Sequence, residues 1–277
     1  MTKNKKTFQI VKKRKFKRIE NNLSKKLNLK PNQIVLSGKH SILSAIKNRD
    51  RKLHYLLLTQ ESALFWQEQL QNLNLNLDVK IKTKEDLDLI NNYQPHQNSI
   101  LVTEPLERVS LDEFLFTNKK NPELPKRIII MDQVTDPQNV GAIIRSAYAF
   151  KMDGVALSQS NSPDETGSMA KASSGAIEKI KIIQLSNMAR EIKKLQTANF
   201  IVYGLAFGGN KNILDLENEK GNVAIIVGSE GKGLRRLTKE KADQLLEIPM
   251  NEDSNSLNVA NAASITMFQL QKNIINN

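Results

Sequence analysis

Five polar side chains in this 277-residue sequence stand where they can do chemistry: Asn139, Arg145, Glu230, Ser256 and Asn258. They fall in three separate segments. The first runs Met131-Asp-Gln-Val-Thr-Asp-Pro-Gln-Asn-Val-Gly-Ala-Ile-Ile-Arg-Ser-Ala. Its apolar run ends at Asp132, a polar turn with a proline follows, and a helix is expected to begin near Asn139 and Gly141. Ligands of parallel α/β sheets gather at the carboxyl ends of strands. Asn139 and Arg145 are less than two helical turns apart, so both can address one ligand. Equally, Asn139 can be a helix cap and Arg145 a surface cation.

The second segment, Val223-Ala-Ile-Ile-Val-Gly-Ser-Glu-Gly-Lys-Gly-Leu-Arg-Arg-Leu, reads as a strand entering a glycine loop and then a helix. Gly228, Gly231 and Gly233 let a ligand approach the backbone closely, or simply make a tight turn. The loop lacks the lysine–hydroxyl pair of a phosphate loop and the glycine order of a dinucleotide fingerprint. Glu230 would repel phosphates, which disfavours a nucleoside triphosphate and suits a ligand with a cationic centre. The third segment is Leu246-Glu-Ile-Pro-Met followed by a polar stretch and Ser256-Leu-Asn-Val-Ala-Asn. A strand should end at Pro249, and a helix of small residues should begin near Ser256 or Leu257. Ser256, Asn258 and Asn261 are polar at the start of an otherwise apolar helix, where they bind a substrate or serve capping and packing.

These segments need strands and helices to hold them. Apolar runs at 127–131, 154–158, 180–183, 200–205 and 223–227, with helical patterns between most of them, describe a parallel sheet. Upstream, strands at 34–37, 53–59, 79–81 and 99–103 alternate with helices at about 41–48 and 62–72, the second with Leu64, Trp66 and Leu70 apolar. Thr83 with Asp86 forms a helix start. The fold class is therefore α/β in two domains. Residues 1–31 are a basic arm expected to be disordered, and 32–104 a small α/β domain. In the linker, 105–126, a helical turn capped by Ser110 with Glu113 leads into prolines and polar residues, and 127–277 are a second α/β domain.

Charge and composition bound the function. Residues 1–30 carry twelve Lys or Arg against the single acid Glu20, which accounts for nearly all of the chain's +12. A basic arm on a near-neutral body recruits a polyanion or only keeps the chain soluble. The absence of cysteine excludes disulfides, thiolate metal sites and cysteine nucleophiles, and no metal site is expected. No apolar run approaches the roughly 20 residues of a membrane span. The basic start is followed by no continuous apolar segment, so no secretory signal is expected and the cytoplasm is the expected location.

Taken together, "DPQNVGAIIRSA", "VGSEGKGL" and "IPM…SLNVANAAS" resemble the three motifs of the SpoU/TrmH family of SPOUT methyltransferases across residues 127–270. Val35 to Ile46 and Pro95-His-Gln resemble the opening and closing of the family's ribosomal-protein-like RNA-binding domain, with Asn98 where a glycine is common. The resemblance implies a Rossmann-like sheet whose C-terminal part forms a trefoil knot, and an S-adenosylmethionine-dependent transfer of methyl to a ribose 2′-hydroxyl. It implies that the first domain, 32–104, binds RNA and that the second, 127–277, is catalytic. It implies a cofactor site at Gly228, Ile248, Met250, Ser256 and Leu257. Catalytic roles fall to Arg145, Asn139, Glu230, Ser256 and Asn258. A homodimer is implied too. The two-domain form is most similar to the 23S rRNA guanosine type; a tRNA ribose and a non-catalytic ribosome-assembly factor are the alternatives.

Overall fold

The computed structural model describes residues 29–118, 124–159, 162–251 and 256–275. The expected basic arm lies outside them except for its last three residues. The chain divides into two compact units, one ending at Pro105 and the other beginning at Leu106.

The first unit runs β1 (Ile34–Ser37), α1 (Lys39–Lys47), β2 (Leu53–Leu58), α2 (Gln60–Asn72), β3 (Asp78–Ile81), α3 (Lys84–Ile90) and β4 (Ser99–Thr103). Its sheet has the order β1-β4-β2-β3, antiparallel except for the β2–β3 pair. Helix α2 buries Ser62, Trp66 and Leu70 at four-residue spacing, which defines one helical stripe. Leu64 sits off that stripe and is 80% exposed, contrary to its expected grouping with Trp66 and Leu70. Helix α3 opens as expected, with Thr83 Oγ1 accepting from the Asp86 N–H at 3.1 Å. Helix α1 begins earlier than expected, directly after Gly38, whose φ of +90° turns the chain out of β1. Asn98 holds φ at +61°, which accounts for glycine being common there: asparagine tolerates that left-handed region better than most residues.

The second unit runs β5 (Val109–Ser110), α4 (Leu111–Asn118), β6 (Arg127–Asp132), α5 (Pro137–Ala149), β7 (Gly154–Ser158), α6 (Gly167–Ser173) and β8 (Lys181–Leu185). It continues with α7 (Met188–Thr197), β9 (Phe200–Leu205), β10 (Lys211–Asn212), β11 (Asn222–Gly228), α8 (Arg236–Lys241), β12 (Gln244–Glu247) and α9 (Val259–Ile275). All eight strands are parallel, in the order β10-β12-β9-β11-β6-β7-β8-β5. Alternate residues feed two cores, as a pleated sheet covered on both faces requires. Ile129, Met131, Ile225 and Val227 pack with α5 and α9, while Ile128, Ile130, Ala224 and Ile226 pack with α4 and α7. Among the described residues no helix is long and apolar enough to cross a membrane.

The supposed linker at 105–126 is in large part sheet and core. Val109 and Ser110 pair with β8, and Ser110 Oγ accepts from the Glu113 N–H at 3.1 Å to start α4. Leu111 and Phe114 are then buried in the same core as Ile128. Two helix starts also differ from expectation. Helix α5 begins at Pro137 with Asp136 as its cap, so Asn139 lies inside the first turn. Helix α9 begins at Val259, and Asn258 Oδ1 accepts from the Ala260 N–H at 2.9 Å. Strand β12 ends at Glu247, two residues short of Pro249.

Arg127, buried at the start of β6, fastens α9 to the sheet. Its guanidinium donates to the Leu270 carbonyl, to Gln271 Oε1 at 2.7 Å and to the Glu219 carbonyl at 2.8 Å. Beside it, Glu219 Oε1 accepts from Lys211 Nζ at 2.7 Å and from the Tyr203 hydroxyl. Burial alone would raise the Glu219 carboxyl, but those two hydrogen bonds outweigh it and hold it below the usual carboxylate range. A depressed carboxyl stabilises the fold above its unfolded value, about 4.3, and loses that contribution as pH falls through the lower folded value. E219Q should therefore lower Tm by roughly 2–6 °C at pH 7. The gap between wild type and E219Q should close as melts are run below about pH 4, and a gap that is constant with pH would show that the charge contributes nothing.

Candidate active site

Parallel strand register sets the floor of the site. Asp132 of β6 lies opposite Gly228 of β11, and Ile226 of β11 lies opposite Gly204 of β9. Leu205 of β9 lies opposite Leu246 of β12. Counting along those registers puts Asp132, Gly228, Ala206 and Glu247 in one row at the carboxyl edge of four neighbouring strands. With strands about 4.8 Å apart, Gly228 and Glu247 are about 10 Å from each other across β9. The segments that follow this row carry Glu230, Ile248, Met250, Ser256, Leu257 and Asn258 in loops, Asn139 and Arg145 on α5 and Asn261 on α9.

Three of them meet. Asn139, in the first turn of α5, donates from Nδ2 to Glu230 Oε1 at 2.9 Å. Asn258 Nδ2 donates to the same oxygen at 2.7 Å and to Asn139 Oδ1 at 3.1 Å. A closed triangle of one carboxylate and two carboxamides thus joins the three segments. Asn258 serves two purposes at once, since its Oδ1 caps α9 while its Nδ2 reaches the triangle. Asn258 is a cap, as one of its two readings expects, and also ties two other segments together, whereas Asn139 is not a cap.

The glycine loop is shaped by backbone contact. A Cβ on Gly228 would stand 2.2 Å from the carbonyl carbon of Gly233, so only glycine fits. The Gly233 N–H donates to the Ser229 carbonyl at 2.9 Å, closing a tight turn whose tip is Glu230-Gly231-Lys232. The root of that turn is anchored by residues that sequence reading missed. Asp132, 1% exposed, forms an ion pair with Arg235 at 2.7 Å through Oδ1 and accepts on Oδ2 from Arg235 Nε at 3.1 Å and from the Thr238 hydroxyl at 2.7 Å. The available signal was an aspartate closing a wholly apolar run, with an Arg and a Thr a few residues past the glycines.

The other residues expected at the site are dispersed around the same edge. Ile248 and Met250 follow β12 and are half-buried, while Ser256, Leu257 and Asn258 precede α9 and are exposed. Ser256 and Asn261 are thus not buried polar groups in search of a partner. Arg145 is exposed on α5 and makes no hydrogen bond or ion pair with the described residues. Six positions along a helix turn it about 120° from Asn139, so the two do not share a face. Within this chain the two side chains make no hydrogen bond with each other, Asn139 being held by Glu230 and Asn258.

With this geometry in view, known proteins similar to the chain can be compared. The SpoU rRNA Methylase family matches residues 126–268, and a family described as RNA 2'-O ribose methyltransferase substrate binding matches residues 35–109. A Staphylococcus aureus relative, described as a TrmH family tRNA/rRNA methyltransferase, is 37% identical over 184 residues, 66% of this chain and 73% of the relative. One of Staphylococcus epidermidis with the same description is 35% identical over 186 residues, 67% and 74% of the two chains. Among solved structures, the SpoU methyltransferase AviRb of Streptomyces viridochromogenes, in complex with AdoMet, superposes with a TM-score of 0.76. It is 18% identical and covers 94% of this chain and 98% of its own. An AdoMet-bound rRNA methyltransferase of Sinorhizobium meliloti gives 0.74 at 20% identity, covering 93% and 94%. At such identities the superpositions show a shared fold.

The buried carboxylate yields a test of the loop's anchorage. D132N keeps the shape but weakens two charge-assisted bonds, at a cost of roughly 1–3 kcal/mol. Hydrogen exchange at residues 229–234 should quicken in D132N while that of β7 and β8 stays as in wild type. Equal exchange throughout would show that the turn holds without its anchor.

Proposed function

This chain belongs to the SpoU rRNA methylase family, and from that premise we propose that it transfers the methyl group of S-adenosylmethionine to a ribose 2′-hydroxyl, that of a guanosine in 23S rRNA. The observation that carries the reading is the Asn139–Glu230–Asn258 triangle, because it joins all three motif segments in one rigid cluster at the strand ends. Family membership makes the protein an RNA methyltransferase; the ribose, the guanosine and the ribosomal target are the finer part of the proposal.

The residues present fit the cofactor. Backbone at Gly231 and Gly233 faces open space, with no atom within 4 Å of where a side chain would stand. Half-buried Ile248 and Met250 and the exposed Leu257 offer apolar surface near backbone polar groups, which suits an adenine ring and its edges. In this reading Gly228, Ile248 and Leu257 hold the cofactor through their backbones, with Met250 and Ser256 beside them. When bound, it supplies a methyl group already activated by the sulfonium charge. The protein's own share is alignment, which supplies about 7–11 kcal/mol in favourable cases. Asn139 and Glu230 hold the loops and the ribose. Asn258 orients substrate or Arg145, and Ser256 stands beside it.

Arg145 takes the substrate phosphate and ribose and polarises the hydroxyl. A guanidinium rarely gives up its proton, so it acts as a base only with help from that phosphate. Its exposure and its lack of a protein partner support a role toward RNA. A homodimer in the cytoplasm belongs to the same reading. Exposed Tyr148 on α5 and Ile265 and Phe268 on the adjoining α9 support a partner surface. The trefoil knot in this reading rests on membership of the family.

Transfer of tritiated methyl to deproteinised 23S rRNA and to bulk tRNA, followed by mapping of hydrolysis-resistant bonds, tests the proposal. Label in 23S rRNA at a ribose is expected; label in tRNA alone would move the substrate, and cofactor binding without transfer would leave an assembly factor. R145A should lower kcat at least about 100-fold while leaving cofactor affinity unchanged. Near-full methylation by R145A at saturating RNA would remove Arg145 from the mechanism.

A further inference from the structure

Phe207 is an aromatic side chain that neither fold nor cofactor accounts for. It lies two residues past the end of β9, the strand between β11 and β12, and so rises between the Gly228 loop and the stretch that begins at Ile248. It is 78% exposed, more than any other aromatic among the described residues. An exposed ring on a loose loop would mean little, but this loop is pinned on both sides. The Ala206 N–H donates to the Leu246 carbonyl at 3.0 Å, and the Gly208 N–H donates to Glu247 Oε1 at 2.9 Å. Asn210 Oδ1 accepts from the Leu245 N–H at 3.0 Å. Gly209 lies so close to β12 that a Cβ there would stand 2.6 Å from the Leu246 carbonyl carbon. Glycine at 208, with φ at +69°, supplies the turn that sends the chain back toward β12.

We propose that Phe207 is a stacking platform for an unpaired base of the RNA substrate, next to the ribose that is methylated. The inference rests on the function proposed above and adds the group that sets the nucleotide's position. Enzymes and binding proteins that take RNA out of its helix hold the freed bases on aromatic faces, because every base has a π-face to offer. A ring lining the cofactor pocket would be tucked against Ile248 and Met250, which are half-buried, whereas Phe207 projects away from the body. Water-facing on an anchored loop, the ring is already in place when RNA arrives, so little conformational entropy is lost on stacking. Phe207 touches the base rather than the reacting atoms, so its effect falls on RNA affinity.

The test uses the full chain, tritiated methyl transfer to deproteinised 23S rRNA and bulk tRNA, and the variants F207A, F207L and F207W. For whichever RNA the wild type methylates, KM for RNA should rise about tenfold in F207A and equally in F207L, which keeps bulk but not the π-face. The kcat should stay within about twofold of wild type, and cofactor affinity by calorimetry should not change. F207W should restore the wild-type KM, and its emission should be quenched by RNA; Trp66, fully buried in the first unit, gives a steady background. Unchanged KM in F207A overturns the inference, as does F207L behaving like wild type. Weakened cofactor binding in F207A would assign the ring to the cofactor, and a halved mass in light scattering would assign it to a subunit interface; either overturns it. A wild type that methylates neither RNA sinks the parent reading and this inference together, a result distinct from all of these.

Discussion

One carboxylate oxygen, Glu230 Oε1, accepts from carboxamides that lie 91 and 28 residues away in sequence. That meeting ties three segments of the second unit, far apart in sequence, to one another. The first turn of α5, the glycine loop and the start of α9 are each locally stable without it, through the Asp136 cap, the Ser229–Gly233 bridge and the Asn258 cap. None of these local devices fixes one loop relative to another. The triangle does, and it does so with short side chains whose rotamers are few, so little entropy is lost in holding it.

The triangle in turn requires the sheet. Gly228 stands level with Asp132 because β11 and β6 are in parallel register over six pairs. Asp132 then anchors Arg235 and Thr238, which fixes where the glycine loop leaves the sheet. An ion pair between a buried carboxylate and a half-exposed guanidinium is weak evidence for net stability, since desolvation of the carboxylate offsets much of the attraction. Its value here is geometric. It fixes the root of the loop from one side while the triangle fixes the tip from the other, and the open backbone of Gly231 and Gly233 lies between.

Much of this was legible in the sequence, and most of the misses share a cause. Strands at 154–158, 200–205 and 223–227 are where uninterrupted apolar runs predict them, because a parallel sheet covered on both faces needs apolar residues at every position. Asn139, Glu230 and Asn258 were singled out by their setting, and the structure brings them together. The 105–126 segment was misread because proline and polar residues mark only its end, whereas Leu111 and Phe114 needed partners on β6 that local pattern does not reveal. Leu64 was grouped by hydrophobicity rather than by angle. Asp132 escaped notice because an acid at a strand end looks like a solvent-facing stop until Arg235 and Thr238 fold over it. Leu64 is a matter of local helical angle; the other misses concern contacts across many residues, which periodicity cannot encode.

The choice of groups in the triangle bears on what the site selects. A lysine or arginine beside Glu230 would also have tied the loops together, but it would have neutralised the carboxylate. Two neutral carboxamides hold the oxygen in place and leave its charge uncompensated at the site. Glu230 is exposed, so water screens its field beyond a few ångströms, and Lys232 stands two residues away at the same tip; within hydrogen-bond range the carboxylate still favours a cationic centre over a phosphate. Arg145 is on another face of α5 from Asn139. In the function proposed above, one edge of the sheet receives both a positively charged donor and a polyanion. Holding Asn139 and Arg145 on different faces of α5 would give those two ligands separate groups, whereas a single mixed cluster would have them compete for the same ones.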